Sequence, residues 1–332
     1  MTIFTRRNMA AVLFFTSTCF PVASQAQEKI VLKIGWTTSD GATDPYAVGA
    51  RAFKKEAEER TGGRVEVQLF PNRQLGDERP MLDGMRLGTV DGGVITNGVI
   101  SQVEPSFQIN DMPFLYSDEA QAQRILDGEV GQGLSKRLEG KGIVVLGFME
   151  GGFRHMINNV RPVNTPDDIK GVKYRVLQNP IFIEMFRALG GNAVPMAWGE
   201  TFTAVQQGAI DGLEIPLAVI DGSKFNEVTK FLSLTNHTYS MIGLVMSKRA
   251  VDRMPADIRR QVIEAAAAAT ASQRKAANAT ARELVGTLRS KGMQVNEVRD
   301  LAPFRKAVLP LYESFRGQIG ADVVKQALAA VQ

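Results

Sequence analysis

A five-residue pattern, Gly-x-[Val/Ile]-Asp-Gly, occurs twice in this chain. It first reads Gly88-Thr89-Val90-Asp91-Gly92, and 120 positions later it reads Gly208-Ala209-Ile210-Asp211-Gly212. Each copy follows a short amphipathic stretch and runs into a small apolar segment, residues 94–95 and 213–215. Glycine ends helices in a left-handed conformation and Asp-Gly makes tight turns, so each copy reads as helix end, turn and strand. Two such units in one chain point to two similar lobes, and the gap between lobes is where a small ligand settles. The same pattern also serves as ordinary helix-to-strand punctuation, so it constrains architecture before chemistry.

The flanking segments extend this reading. Residues 30–35 read as a buried strand. Asp44-Pro45 caps and opens a helix that stops at Gly62-Gly63, and residues 65–70 alternate as a strand does. After the loop 71–77, a helix ends at Gly88 and a strand follows. Residues 118–138 read as one helix and residues 143–149 as a buried strand. The pattern then restarts near Gly151 with a strand over 153–158, a helical turn at 165–168 and a strand over 172–177. Helices follow over 180–189 and from Trp198 to Gly208. Pro255 opens the longest helical segment, to about Ser290, followed by a strand over 293–298 and two short helices. The expected fold class is α/β: two lobes with mixed sheets flanked by helices, several crossing strands and one long helix spanning both lobes. Lobe one is expected to hold residues 27–150 and about 240–280, and lobe two residues 151–239 and about 281–332.

The N-terminus reads as a processing segment. Arg6 and Arg7 precede an apolar stretch from Met9 to Phe15, and Ser24-Gln25-Ala26 supplies the small residues of a cleavage site. Residues 1–26 are therefore expected to be a cleaved signal peptide, by the general secretory route, with the mature chain beginning near Gln27. The stretch is too short for a membrane span, and no other run reaches the roughly 20 residues needed. A soluble periplasmic protein is the expectation. Cys19, the only cysteine, lies inside the signal, so disulfide and thiolate chemistry are not expected of the mature chain. Losing Arg6 and Arg7 lowers the net charge from +4 to +2, and no basic stripe with interleaved aromatics suits nucleic acid.

Catalytic constellations are sparse. There is no Gly-x-Ser-x-Gly elbow, Walker A loop or Rossmann fingerprint. The two histidines, His155 and His237, stand in no metal-ligand spacing. No enzyme, cofactor or metal is expected.

Between Gly151 and Pro216 the sequence becomes specific. Gly152-Phe153-Arg154-His155 is followed by Asp168-Ile169-Lys170-Gly171-Val172-Lys173-Tyr174-Arg175-Val176, by Pro195-Met196-Ala197-Trp198-Gly199-Glu200, and by Gln206-Gln207-Gly208 running through the second motif to Pro216. Earlier, Phe70-Pro71-Asn72-Arg73-Gln74-Leu75-Gly76-Asp77-Glu78 and Asp111-Met112-Pro113-Phe114-Leu115 agree. Over essentially the whole mature chain this resembles the DctP-type solute-binding proteins of tripartite ATP-independent periplasmic (TRAP) transporters. The resemblance implies the two-lobed periplasmic-binding-protein fold, a hinged clamp that captures an organic acid anion and presents it to the membrane permease subunits, with no chemical turnover. Nothing in the sequence suggests a large exposed apolar helix face, so a monomer is expected.

The resemblance also implies a site. The family's signature arginine, which salt-bridges the ligand carboxylate, matches Arg175. A guanidinium suits that task because its parallel N–H donors match two carboxylate oxygens. Arg154 matches a second family arginine, and two readings stand for it: it assists the clamp, or it pairs internally with a carboxylate such as Glu150 or Glu200. Trp198 stands at a usually aromatic position, as ligand wall or as core. Thr37 and Glu78 lie on loops resembling ligand-facing ones. Thr96 and Asn97 follow the first-lobe strand, and Gln178 neighbours Arg175. One departure is informative: where the family often reads Gln-Glu-Asn-Pro, this chain has Leu213-Glu214-Ile215-Pro216. Ile215 donates no hydrogen bond, which disfavours a highly hydroxylated acid such as sialic acid and favours a smaller or less polar acid or a differently oriented dicarboxylate. Thr96, where some relatives carry a carboxylate, argues against an amine. Two alternatives remain on sequence grounds: a binding protein of an ATP-driven importer, and a periplasmic enzyme acting on acids with Glu200 or Glu214 as base.

Overall fold

The computed structural model describes residues 1–2 and 29–332; the expected signal segment, its cleavage site and Cys19 lie outside the described residues. Nine strands are formed among the described residues: β1 Ile30–Gly35, β2 Val65–Phe70, β3 Gly92–Thr96, β4 Ile143–Asn158, β5 Lys173–Val176, β6 Asn192–Pro195, β7 Gly212–Pro216, β8 Phe231–Ser247 and β9 Gln294–Glu297. They make one mixed sheet in the order β2-β1-β3-β8-β4-β7-β5-β6, with β9 beside β8.

The repeated motif does the same job twice. β1 pairs in parallel with β2 and β3, and β5 pairs in parallel with β6 and β7. Gly88 and Gly208 end their helices at φ 85° and 73°. The motif aspartates then act as staples: Asp91 Oδ2 accepts from Lys33 N at 2.9 Å and Asp211 Oδ2 from Lys173 N at 2.8 Å. Each tethers a strand start to the neighbouring parallel strand. Gly92 and Gly212 sit where an antiparallel neighbour presses close, and a Cβ on Gly92 would meet the Val245 carbonyl at 2.8 Å.

The two units are joined by long strands rather than by a tether. β4 and β8 have 16 and 17 residues, whereas the others have four to six. They pair antiparallel along most of their length, so the strands of the two units form one continuous mixed sheet. β8 joins β3 through its second half, and β4 joins β7 through Arg154–Asn158. Register shifts between Glu150 and Phe153, and again between Arg154 and Met156, fall between the two units. A bulge locally bends and twists a strand.

The core is split by the sheet into two clusters, one on each face. The long helix Ala256–Ser290 covers one face together with Pro45–Arg60 and Trp198–Gln206. The other face carries Glu78–Leu87, Glu119–Asp127, Glu129–Glu139 and Pro180–Ala188. The helix expected over 118–138 is two, broken at extended Gly128. Four short helices, not two, close the chain. Arg137 pairs with Asp322 at 2.6 Å and Tyr312 donates to the Pro113 carbonyl at 2.9 Å, while Phe304 and Leu311 share the core cluster of Phe182 and Phe186.

Candidate ligand-binding site

Parallel strands of α/β units leave a crevice beyond their carboxyl ends. Here the two crevices face each other. Thr37 and Thr38 follow β1, Thr96 ends β3, and Glu78 opens its helix. Opposite them Leu177 and Gln178 follow β5, Trp198 opens its helix, and Ile215 and Pro216 end β7. Together with Arg154 and Arg175 they line a cavity of about 230 Å³. Eight of the nine residues singled out from the sequence are therefore gathered here: Thr37, Glu78, Thr96, Arg154, Arg175, Gln178, Trp198 and Ile215. Asn97 is not among the lining residues. Its amide donates to the Phe107 carbonyl at 3.0 Å and its Oδ1 accepts from Asn110 at 3.1 Å, which makes it part of the scaffold.

Arg175 is 2% exposed, and no carboxylate lies within salt-bridge distance of it among the described residues. Its Nε and Nη2 donate to the Met196 carbonyl at 3.0 and 2.7 Å, and its guanidinium lies 5.9 Å from the Trp198 ring centroid. The fork is thus held by one edge and by an aromatic face, and the Nη1–Nη2 end remains for a ligand. Burial, assisted by the Arg154 charge and opposed by Glu214 and Glu78, lowers Arg175 to about 10. It stays a cation at neutral pH, but a costly one that an anion relieves.

Arg154 resolves differently. It does pair internally, but with Glu214 rather than with Glu150 or Glu200. Nη2 donates to Glu214 Oε1 at 2.9 Å and to its carbonyl at 2.6 Å, Nε bonds Oε2, and Nη1 reaches Ser240 Oγ at 3.3 Å. Burial, the largest single effect, would raise the Glu214 carboxyl, but the Arg154 charge together with hydrogen bonds from His237 and Arg154 outweighs it and holds the pKa below the usual range. His237 Nε2 stands 3.3 Å from Glu214 Oε2, and burial pushes the ring toward neutrality. The charge of Arg154 is therefore already balanced, and the cavity holds one uncompensated cation deep inside.

The first-unit wall is built from hydroxyls on a carboxyl. Glu78 Oε1 accepts from Thr96 N and from its Oγ1, both at 2.8 Å, and Tyr46 OH lies 2.8 Å from the same Oγ1. Burial raises Glu78 to about 7 against those bonds. Tyr46, Asp77 and Gln102 also line the cavity and were not read from the sequence. Tyr46 had a signal: it follows Asp44-Pro45 at the start of a helix whose N-terminus faces the crevice.

Bonds cross the rim between the units. Ser39 Oγ donates to the Gly222 carbonyl at 3.0 Å, Gln102 Nε2 to the Gln178 carbonyl at 2.9 Å, and Asn179 Nδ2 to Asp111 Oδ2 at 2.8 Å. This is a closed arrangement. Among the described residues no cluster of three or more His, Cys, Asp or Glu side chains is placed to hold a metal.

The family model for bacterial extracellular solute-binding protein family 7, DctP, matches residues 37–318. The chain belongs to the DctP family. A solute-binding protein of Verminephrobacter eiseniae is 39% identical over 305 residues, covering 92% of this chain and 90% of the relative. A TRAP periplasmic solute-binding protein from Polaromonas sp. JS666, solved with D-erythronate, is 39% identical with a TM-score of 0.87, covering 91% and 99% of the two chains. Another from Sulfurospirillum deleyianum, with succinate, is 30% identical with a TM-score of 0.86 over 91% and 99%. DctP proteins are binding components of TRAP transporters and not enzymes. They are periplasmic, bind small carboxylates and work with TRAP permease subunits. No helix among the described residues is long and apolar enough to cross a membrane.

Proposed function

We propose that this DctP protein captures an organic acid anion in the periplasm and delivers it to its TRAP permease, with Arg175 as the carboxylate clamp. One observation carries the reading: a buried guanidinium without a carboxylate partner, held by the Met196 carbonyl, opens its free end into a cavity between two units. Thr37, Glu78, Thr96 and Gln178 supply polar contacts, and Trp198 and Ile215 the apolar wall. Arg154, its charge balanced by Glu214, fixes β4 against β7 rather than clamping the ligand.

In the same proposal, two lobes hinge where β4 and β8 cross, with divisions near residues 150, 240 and 280. Closure costs the burial of a lone cation, and the ligand anion offsets that cost, which is the differential affinity a hinge motion requires. Residues 1–26 act as the signal peptide and the mature chain is a monomer. The relatives' erythronate and succinate, both carboxylates, support an acid as ligand. A thermal-shift screen of organic acids against neutral sugars tests it, because a specific ligand raises apparent stability by mass action. An acid is expected to raise Tm. A neutral sugar that does so while every acid fails contradicts the reading.

A further inference from the structure

The balance of donors and acceptors around the cavity narrows the class of acid. Of the three arginines that line it, two are committed. Arg154 is bound to Glu214, and Arg79 pairs with Asp83 at 3.1 Å and reaches the Gln102 carbonyl at 3.4 Å. Only Arg175 presents a buried guanidinium end without a carboxylate, Arg79 being half exposed in a solvent-screened pair, so the site has room for one strongly held carboxylate. Acceptors, by contrast, are in surplus at the Asp77–Glu78 end. Asp77 Oδ1 is buried without a hydrogen-bond donor, and Glu78 Oε2, which keeps some exposure, has no donor among the described residues, its Oε1 taking both bonds from Thr96. A buried acceptor left unpaired costs about 1–3 kcal/mol, so Asp77 Oδ1 calls for a donor on the ligand, and Glu78 Oε2 is open to accept another. Hydroxyl groups supply donors and a second carboxylate does not. A second carboxylate would also be driven against two acidic side chains with no free cation to meet it. The volume of about 230 Å³ falls below the roughly 300–1,000 Å³ of pockets for drug-sized ligands, which sets a small molecule.

Resting on the reading of Arg175 as the clamp, we propose that the ligand is a small monocarboxylate carrying hydroxyls along its chain, an aldonate-type acid, and that Asp77 and Glu78 are the residues that exclude dicarboxylates. Arg175 holds C1, the apolar faces of Trp198 and Ile215 flank the carbon chain, and the hydroxyls donate to Asp77 and Glu78. The groups facing Glu78 are Thr96, Tyr46, Asp77, Arg79 and Arg175. Because burial raises Glu78 to about 7, its rejection of a second carboxylate strengthens as pH rises through that value.

Three four-carbon acids separate the terms: D-erythronate has one carboxylate with hydroxyls, butyrate one carboxylate alone, and succinate two carboxylates. Calorimetric titration of the whole protein at pH 8, repeated with the matching five- and six-carbon sets, should show the hydroxylated monocarboxylate tightest at whichever length binds, by tenfold or more. Glu78→Gln, and separately Asp77→Asn in case the first variant folds poorly, should shrink the gap to the dicarboxylate. A dicarboxylate or an unsubstituted acid that binds tightest to the wild type overturns this inference while leaving the acid-binding reading intact. Binding of none of the nine acids overturns this inference, and overturns the acid-binding reading as well where a neutral sugar binds instead.

Discussion

Arg154 and Arg175 are the same residue type 21 positions apart, and their neighbours give them opposite tasks. Arg154 meets Glu214, which is fully buried. Removing one partner of a buried pair typically costs about 3–5 kcal/mol because the other charge is stranded. Glu214→Gln should therefore lower unfolding free energy by about 3 kcal/mol or more in urea titration. Breaking the exposed Lys248–Asp252 pair should change it by less than about 1 kcal/mol; equal losses would contradict the assignment. Arg175 meets a carbonyl and an aromatic ring instead, so Arg175→Lys keeps the charge but loses the fork, and affinity for the acid should fall at least about tenfold. Three buried carboxyls, Asp44, Glu78 and Asp111, are each raised by burial to about 7. Their native forms bind protons more tightly than the unfolded chain does. The stability they contribute is present below about pH 4.5 and is lost as pH rises through about 7. Ligand-free protein should thus show a lower Tm at pH 8 than at pH 5.5, and Glu78→Gln should flatten part of that slope. A Tm that rises over this interval would count against the buried-carboxyl picture.

At the scale of elements, the doubled motif was legible because its glycines and aspartates do local work: they end a helix, turn the chain and staple a parallel neighbour. Gly212→Ala should cost about 1–3 kcal/mol, since the added methyl meets the Ile157 carbonyl and Asn158. Gly133→Ala, in open space within a helix, should be neutral or slightly stabilising in the same denaturation assay; the reverse order would undo the packing argument. The strand β8 was not legible. It is buried over almost its whole length, yet Ser, Thr, Asn and His interrupt its first part, Ser233–Ser240, so the apolar run Met241–Met246 reads as a short strand at best and not as the end of a long one. Those polar groups are satisfied inside the protein, as Ser233 Oγ is by Val163 N at 2.8 Å and Thr235 Oγ1 by His237 Nδ1 at 2.7 Å. β4 was legible only as two strands, because Gly151-Gly152 reads as a break where the structure has a bulge. The partner of Arg154 was hidden for a related reason. Glu214 is brought to it by the pairing of β4 with β7, a long-range register that no local pattern encodes. Asn97 looked like a site residue for its place after β3, but its side chain is consumed by the neighbouring turn.

For the whole molecule, the sheet through both units and the facing crevices make closure the functional event. Asn179 donates to Asp111, Ser101 and the Gly98 carbonyl across the interface and does not line the cavity. Asn179→Ala should therefore speed ligand release in stopped-flow measurements while leaving the carboxylate contact in place; an unchanged release rate would show that this rim contact does not hold the clamp shut. The central claim is that one buried, unpaired guanidinium holds the ligand. The most direct test is calorimetric titration of wild type and Arg175→Ala with the acid that stabilises the wild type. Two charge-assisted bonds of about 1.5–3 kcal/mol each predict a loss of affinity of about 100-fold or more. An affinity that survives the substitution would contradict the account.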